Sequence, residues 1–344
     1  MRVVVRETQT GSRNSHSSGG ELPHVSYVLW PFEDRGSKKG NAKRNDKLLA
    51  PGTVRFRLTI EFPAQVEQEI RQAVAAWLAF GGYGARTRRG AGSLVPIDEA
   101  QRKEWCPQRL TAKCLRELLG ADVFSGKQKR CDLPTLAGAT LLARPGVGGG
   151  RKATQAWPEA IEYLQRFRTG GGADPKSGAG AGACPGMKWP EAGLAKRFQG
   201  DRPKGRRSDE PRPTWPRADF GLPLQLRLGR DTLTVGWWKG GGNPSTRLAS
   251  PVIVKAVGTA EQGFVPAVLV LDRDYPSGAK VGIVRKDRKG LVPCSSARFR
   301  PRLSIADRQG KGNSQTGEPV DQHKGAVEAF VAWLKSCGWR QVAP

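Results

Sequence analysis

The sequence TVRFRLTIEFPAQVEQEIRQAVAAWLAFGGYGARTRRGAG (residues 53–92) decides how the first part of this chain folds. Apolar and polar residues alternate over residues 53–62, which predicts a strand with one buried face. Apolar residues then recur at helical spacing over residues 66–78, which predicts an amphipathic helix. Gly81 and Gly82 are expected to end that helix, so the glycine-rich loop that follows begins from a rigid support.

The glycine-rich loop contains three arginines and is the best candidate for a ligand-binding segment. Glycine lets the backbone adopt positive φ and approach a ligand closely, and arginine offers charged donors that match phosphate oxygens. The loop lacks the pattern of nucleoside-triphosphate sites, and it joins a helix to a short strand predicted at residues 93–97, the reverse of the order in dinucleotide folds. We therefore interpret it as a nucleic-acid backbone site, with a solvated turn as the alternative. The residues assigned to this site are Gly81, Gly82, Tyr83, Gly84, Arg86, Thr87, Arg88, Arg89, Gly90, Gly92 and Ser93.

The charge of the chain favours a polyanionic partner. Its 344 residues include 57 Lys and Arg against 31 Asp and Glu, a formal net charge of +26. A nucleic acid or an anionic membrane surface fits such an excess, and nucleic acid is favoured because the basic residues are not gathered on one amphipathic helix. No apolar run is long enough to span a bilayer and no signal peptide opens the chain, so we expect a cytoplasmic protein without a membrane partner. Lys39, Lys43 and Arg44 lie in a basic loop that either contacts RNA or a neighbouring subunit or only aids solubility.

Two further segments carry candidate contacts. Trp238 and Lys239 stand beside a glycine run, where an aromatic ring is able to stack on a base, although a strand-end tryptophan in the core fits equally well. Arg247 and Lys255 are candidate phosphate contacts, with a solvated strand face as the alternative.

The remaining chain is rich in strands and has one low-complexity stretch. Strands are predicted at residues 3–5, 25–30, 222–228, 232–237, 252–257, 264–271 and 298–305. Helices are predicted at residues 110–119, 157–167, 190–198 and 320–337. Residues 144–217 form a low-complexity stretch rich in Gly, Pro and Arg, which is expected to form loops around the helices predicted within it. Strands with helices in each half favour an α+β chain with two related lobes.

Four segments resemble the RAMP proteins of type III CRISPR effector complexes. FGGYGARTRRGAGSL (residues 80–94) is similar to the glycine-rich loop of that family, and most similar to that of the first-numbered RAMP subunit of the Cmr (type III-B) complex. DFGLPL (219–224), RLASPVIVK (247–255) and FVPAVLVL (264–271) resemble second-lobe strands of the same subunit. The resemblance extends over roughly residues 53–271, interrupted by the low-complexity stretch.

The resemblance implies an α+β fold with two ferredoxin-like lobes, an N-terminal lobe at residues 1–125 and a C-terminal lobe at residues 126–344 with the insertion at about 144–217. It implies that the first lobe lacks its usual first strand and helix, which a separate chain supplies unless this chain is a fragment. It also implies guide RNA (crRNA) and target RNA as partners, near the 3′ end of the guide, together with other Cmr subunits. No catalytic residue, metal or cofactor is implied, because another subunit of that family cuts the target RNA.

Two other functions remain open. A metal-independent endoribonuclease that processes guide RNA needs a general acid and base, and His16 in a Gly/Ser loop is its candidate. A scaffold subunit that contacts proteins and little RNA is the other. The cysteines show no metal-site spacing, and Cys106, Cys114 and Cys131 are either free thiols, which we favour, or metal ligands.

Overall fold

The fold is described from a computed structural model of the chain. The residues that the structure describes are 2–9, 24–29, 52–126, 135–144, 146, 150–169, 215–228, 231–239, 247–272, 279–287, 290–293, 297–298 and 325–343.

Helices and strands are mixed along the chain, which confirms the α+β class. The helices are α1 (Ser26–Leu29), α2 (Glu67–Phe80), α3 (Glu99–Trp105), α4 (Ala112–Leu119), α5 (Ala153–Thr169) and α6 (Ala326–Ser336). The strands are β1 (Arg2–Gln9), β2 (Arg55–Glu61), β3 (Thr135–Ala143), β4 (Leu224–Leu228), β5 (Asp231–Lys239), β6 (Val252–Gly258), β7 (Phe264–Asp272), β8 (Ala279–Asp287), β9 (Gly290–Pro293), β10 (Ala297–Arg298) and β11 (Arg340–Ala343). Within the described residues no helix is long and apolar enough to cross a bilayer.

The strands of the described residues form three sheets. β1 and β2 pair antiparallel as a two-stranded sheet. A five-stranded sheet has the order β10-β8-β5-β4, and β9 pairs with β8 beside it. The order β11-β3-β7-β6 makes a sheet of four strands, in which β11 and β3 are antiparallel.

The chain divides into two compact units, and each unit is assembled from separate stretches of sequence. The first unit comprises Met1–Val123, Pro145–Gln165 and Val254–Ala267, and the second comprises Phe124–Arg144, Arg166–Ile253 and Val268–Pro344. The continuous lobes expected at 1–125 and 126–344, and their ferredoxin-like topology, stay a prediction.

The predicted strand and helix of the first unit are confirmed. Along β2, exposed side chains alternate with half-buried ones, as the sequence pattern requires. α2 buries Ala75, Ala79 and Phe80 near its C-terminal end, where the loop begins. The predicted apolar stripe is too long, because Val66 lies before the helix and is 39% exposed.

Two strands predicted in the first unit are wrong. Residues 25–30 contain helix α1 instead, in which the amide of Leu29 donates to the carbonyl of Val25 at 3.0 Å. A short apolar run does not distinguish a strand from a helical turn. Residues 93–97 form no strand, and Pro96 has no amide to donate to a neighbouring strand.

Other boundaries and elements also differ from the expectation. α6 begins at Ala326, after extended Gly325, and the first residues of the predicted helix, 320–324, lie outside the described residues. The elements α3, β3, β8, β9 and β11 were not predicted, because their segments are short or lack a clear apolar period. The helix expected at 190–198 and most of the strand expected at 298–305 lie outside the described residues.

Aromatic rings form the centre of the second unit. Phe167, Phe220 and Phe330 are fully buried, with ring centroids 5.1–5.9 Å apart. Asp219, in the DFGLPL segment, accepts a 2.7 Å hydrogen bond from the amide of Val327 in the first turn of α6. A carboxylate at the N-terminal end of a helix accepts from an amide that has no partner within the helix, and its charge interacts favourably with the helix dipole. The DFGLPL segment therefore has a structural role.

Candidate nucleic-acid interface

The glycine-rich loop is closed at its base by a backbone hydrogen bond. The amide of Tyr83 donates to the carbonyl of Gly92 at 2.9 Å. Gly92 has a φ of 68°, and a Cβ there would overlap the carbonyl oxygen of Tyr83. A side chain at Gly82 would also press on the carbonyl of Gly92, at 2.8 Å. The two ends of the loop therefore approach so closely that glycine is required.

The far part of the loop is a single 3-10 turn, Thr87–Arg89, flanked on both sides by left-handed residues. Arg86 precedes the turn with a φ of 64°, and Gly90 follows it with a φ of 79°. Amides of Arg89 and Gly90 donate to the carbonyls of Arg86 and Thr87 at 2.8 and 2.9 Å. The hydroxyl of Ser93 donates to the carbonyl of Gly90 at 2.8 Å. These bonds give the loop a defined backbone.

Lys255 holds the start of the loop, which corrects its prediction as a phosphate contact. Its side chain is buried, and Nζ donates hydrogen bonds of 2.6 and 2.8 Å to the carbonyls of Leu78 and Gly81. Burial lowers the pKa of Lys255 to about 7, and the electrostatic influence of Cys106 acts in the opposite direction to a smaller extent. The strand lysine thus supports the end of α2 from inside the unit.

Trp157 holds the other side of the loop and was missed by the sequence reasoning. Its indole Nε1 donates a 2.6 Å hydrogen bond to the carbonyl of Arg89. Gly90 lies against the same indole, since a Cβ at Gly90 would stand 2.5 Å from Nε1. A tryptophan in a helical stripe gives no sequence signal for this role, because its partner lies 68 residues away.

The loop presents one exposed aromatic residue and one exposed arginine at its surface. Tyr83 is 77% exposed, and Gly84 and Arg86 beside it are also exposed. Arg88 is half-buried, and its burial lowers the pKa of its guanidinium from the usual value. Arg89 is only 9% exposed. The three arginines expected to contact phosphates equally are therefore placed at three different depths.

The remaining predicted contacts lie elsewhere. Lys39, Lys43 and Arg44 are outside the described residues, as is His16. Trp238 is 5% exposed within β5, as the core-packing alternative required. Lys239 ends the same strand, its backbone opposite Ala279. Arg247 is exposed, and its carbonyl accepts a 2.9 Å hydrogen bond from the indole of Trp237.

The cysteines of the described residues are free thiols. Cys106 is buried, and burial raises the pKa of its thiol. Cys114 is partly exposed. Cys131 lies outside the described residues, and within them no group of three His, Cys, Asp or Glu side chains is placed to hold a metal ion.

Comparison with known proteins gives a distant structural similarity. No protein-family model matches the chain, and no curated protein matches it in sequence. The crystal structure of the apo form of Cmr1 from Pyrococcus furiosus is similar, with a TM-score of 0.42 and 13% identity over 85% of this chain and 72% of that chain. A similarity of this size does not establish a shared fold.

Proposed function

We propose that this chain is a non-catalytic RNA-binding subunit of a Cmr-type (type III-B) RNA-guided CRISPR effector complex. The observation that carries the proposal is the closed glycine-rich loop, which holds Arg86 exposed beside Tyr83. The formal net charge of +26 supports a polyanionic partner. The likeness of residues 80–94 to the RAMP loop supports the family. The proposed partners are guide RNA, target RNA and other Cmr subunits, in the cytoplasm.

The left-handed backbone conformation of Arg86 is the strongest evidence that this loop binds a ligand. A residue with a Cβ costs about 1–2 kcal/mol in the left-handed region that Arg86 occupies, whereas glycine adopts it freely. The loop uses glycine at its other left-handed positions, Gly84, Gly90 and Gly92. An arginine at position 86 therefore lowers stability, which fits a role for its guanidinium in binding.

The loop chemistry suits a sugar-phosphate backbone more than a base sequence. A guanidinium donates to two phosphate oxygens at once, and such contacts position a nucleic acid without reading its sequence. Arg88, which is half-buried in the same 3-10 turn, adds a second positive charge to the loop. Buried Arg89 belongs to the support of the loop, where its carbonyl accepts a hydrogen bond from the indole of Trp157.

The variant Arg86→Gly tests the loop, because it removes the charge and relieves the backbone strain together. We expect the salt dependence of single-stranded RNA affinity to fall by about 0.7 log units per log unit of salt, the loss of one phosphate contact. The free energy of unfolding should stay the same or rise. Fluorescence anisotropy across a salt series and urea denaturation measure the two quantities.

Arg71→Gln is the matched control for Arg86→Gly. It removes one charge from α2 in the same unit, where Arg71 pairs with Glu67 at 2.8 Å and Glu104 at 2.6 Å. Its RNA affinity should remain close to that of the wild type. If Arg86→Gly bound RNA with unchanged affinity and salt dependence, the loop would not be the RNA contact.

Purification of the tagged full-length protein from its native cells tests the assembly separately. We expect short RNAs derived from CRISPR repeats to co-purify with other RAMP-type subunits. Recovery of the protein without such RNAs would contradict the CRISPR assignment while leaving the loop chemistry intact. A discrete product from a repeat-containing RNA incubated without metal would contradict the non-catalytic proposal.

A further inference from the structure

The two-stranded sheet β1–β2 has different chemistry on its two faces. Val3 lies opposite Ile60, and Val5 lies opposite Leu58, so these four apolar side chains share one face. Because side chains alternate along each strand, the residues between them occupy the other face.

The other face of this sheet is basic. Arg6 lies directly opposite Arg57, and Arg55 is two residues from Arg57 on the same strand face. Arg2 lies opposite Glu61 at the far end and forms an exposed ion pair of 3.8 Å with it. Arg6, Arg55 and Arg57 are all exposed, and we refer to these three residues as the basic face.

Within the part of the chain that the structure describes, no acidic side chain forms an ion pair with a member of the basic face. Like charges directly opposite each other on a sheet are destabilising. A two-stranded sheet is already only marginally stable alone, so the Arg6–Arg57 pairing weakens an element that has little stability to spare. A bound anion would turn that repulsion into attraction.

We propose that the basic face is a second phosphate-backbone site, which binds a single nucleic-acid strand independently of the glycine-rich loop. The guanidinium-bearing residues repeat about 7 Å apart along β2 and about 5 Å apart across the two strands. A nucleic-acid strand offers phosphates at regular spacing of a few ångströms, and arginine is suited to each of them.

A nucleic acid fits the basic face better than a protein partner does. Protein interfaces do use arginine, but beside aromatic and other apolar side chains that form a largely uncharged centre. The basic face instead groups three arginines, while Val3, Val5, Leu58 and Ile60 lie on the opposite face and only Val4 of the β1 valines shares the side of the arginines. The inference goes beyond the proposed function, because the glycine-rich loop neither contains nor requires these residues.

The double variant Arg6→Gln/Arg57→Gln tests this site with a mixed-sequence single-stranded RNA oligonucleotide. We expect the slope of log affinity against log salt to fall by about 1.4, corresponding to two phosphate contacts, and affinity near physiological salt to fall about tenfold. The unfolding temperature should stay the same or rise, since a like-charge pair is removed. If Arg6 and Arg57 had only a structural role, their replacement would lower both the RNA affinity and the unfolding temperature.

Lys103→Gln/Lys113→Gln is the matched control. It removes the same charge from α3 and α4 of the same unit, where Lys103 and Lys113 are 62% and 85% exposed. An equal loss of RNA affinity in this control would overturn the site, because the overall charge alone would then explain binding. If the double variant does not fold, the single variant Arg55→Gln replaces it as the test of the basic face. The slope of log RNA affinity against log salt should then fall by about 0.7.

Parallel measurement of Arg86→Gly separates this inference from the proposed function. Unchanged RNA binding in the basic-face variants together with a loss in Arg86→Gly would overturn the second site only. The reverse result would support the second site and contradict the loop. Weakened binding to anionic phospholipid vesicles with unchanged RNA affinity would also overturn the second site.

Discussion

The ammonium group of Lys255 donates a 2.8 Å hydrogen bond to the carbonyl oxygen of Gly81, at the point where α2 ends and the glycine-rich loop begins. The same group donates to the carbonyl of Leu78 at 2.6 Å. The last carbonyls of a helix have no partner within it, and a cation there satisfies them and favours the helix dipole. Strand β6 thereby fixes the position from which the loop departs.

The burial of Lys255 makes stability depend on pH. Burial lowers the pKa of Lys255 to about 7, although its two carbonyl acceptors favour the protonated form. The amine regains its ordinary, higher pKa on unfolding, so above pH 7 the unfolded chain binds more protons and stability rises with pH. Burial raises the pKa of the Cys106 thiol, which lowers stability once the unfolded thiol ionises near pH 9.

Between pH 7 and 8.5 we therefore expect the wild type to gain about 1–2 kcal/mol of unfolding free energy relative to Lys255→Met. Urea denaturation of both proteins at several pH values measures the difference. Identical pH dependence in the two proteins would contradict a buried, titrating amine.

Alanine substitutions at two glycines separate backbone strain from steric overlap. Gly84 and Gly92 both have positive φ, 92° and 68°, but nothing lies within 4 Å of a Cβ at Gly84, whereas one at Gly92 overlaps Tyr83. Gly84→Ala should cost about 1–2 kcal/mol of stability from strain alone. Gly92→Ala should cost about 2–4 kcal/mol, since it also forces the loop base apart. Chemical denaturation measures both, and equal costs would argue against the closed loop.

Removal of the indole donor of Trp157 should loosen the loop. Trp157→Phe keeps most of the packing but leaves the carbonyl of Arg89 without its 2.6 Å hydrogen bond, at a cost of about 1–2 kcal/mol. Trp105→Phe is the control, because the ring of Trp105 contacts the guanidinium of Arg71 through its face, which phenylalanine retains. The unfolding temperature and the RNA affinity should both fall in Trp157→Phe, and both should change little in Trp105→Phe.

The exposed ring of Tyr83 should contribute by stacking on an unpaired base. Tyr83→Ala is expected to lose about 1–3 kcal/mol of RNA affinity, whereas Tyr83→Phe should keep nearly all of it. An oligonucleotide with abasic positions should bind wild type and Tyr83→Ala with equal affinity, because no base remains to stack. Titrations of both oligonucleotides measure this, and an equal loss on the abasic strand would show that Tyr83 contacts the backbone instead.

Local periodicity predicts the elements that present the candidate site. The alternation of β2, the helical stripe of α2 and the glycines after Phe80 each depend on neighbours within a few residues. The same reasoning fails at residues 93–97 and in the short elements near them, where too few residues exist to establish a period. A cluster of arginine and glycine at a helix end was therefore predictable, and with it the positive charge that favours nucleic acid.

Only the tertiary structure decides what each member of that cluster does. Lys255 forms a hydrogen bond with Gly81, which is 174 residues away in the sequence, and Trp157 forms one with Arg89, which is 68 residues away. Lys255 and Arg89 are buried at these contacts, whereas Arg86 remains exposed. The sequence determines which side chains carry charge because charge belongs to each residue alone. Burial depends on distant parts of the chain that pack together, so the fold alone sets which charges a ligand is able to reach.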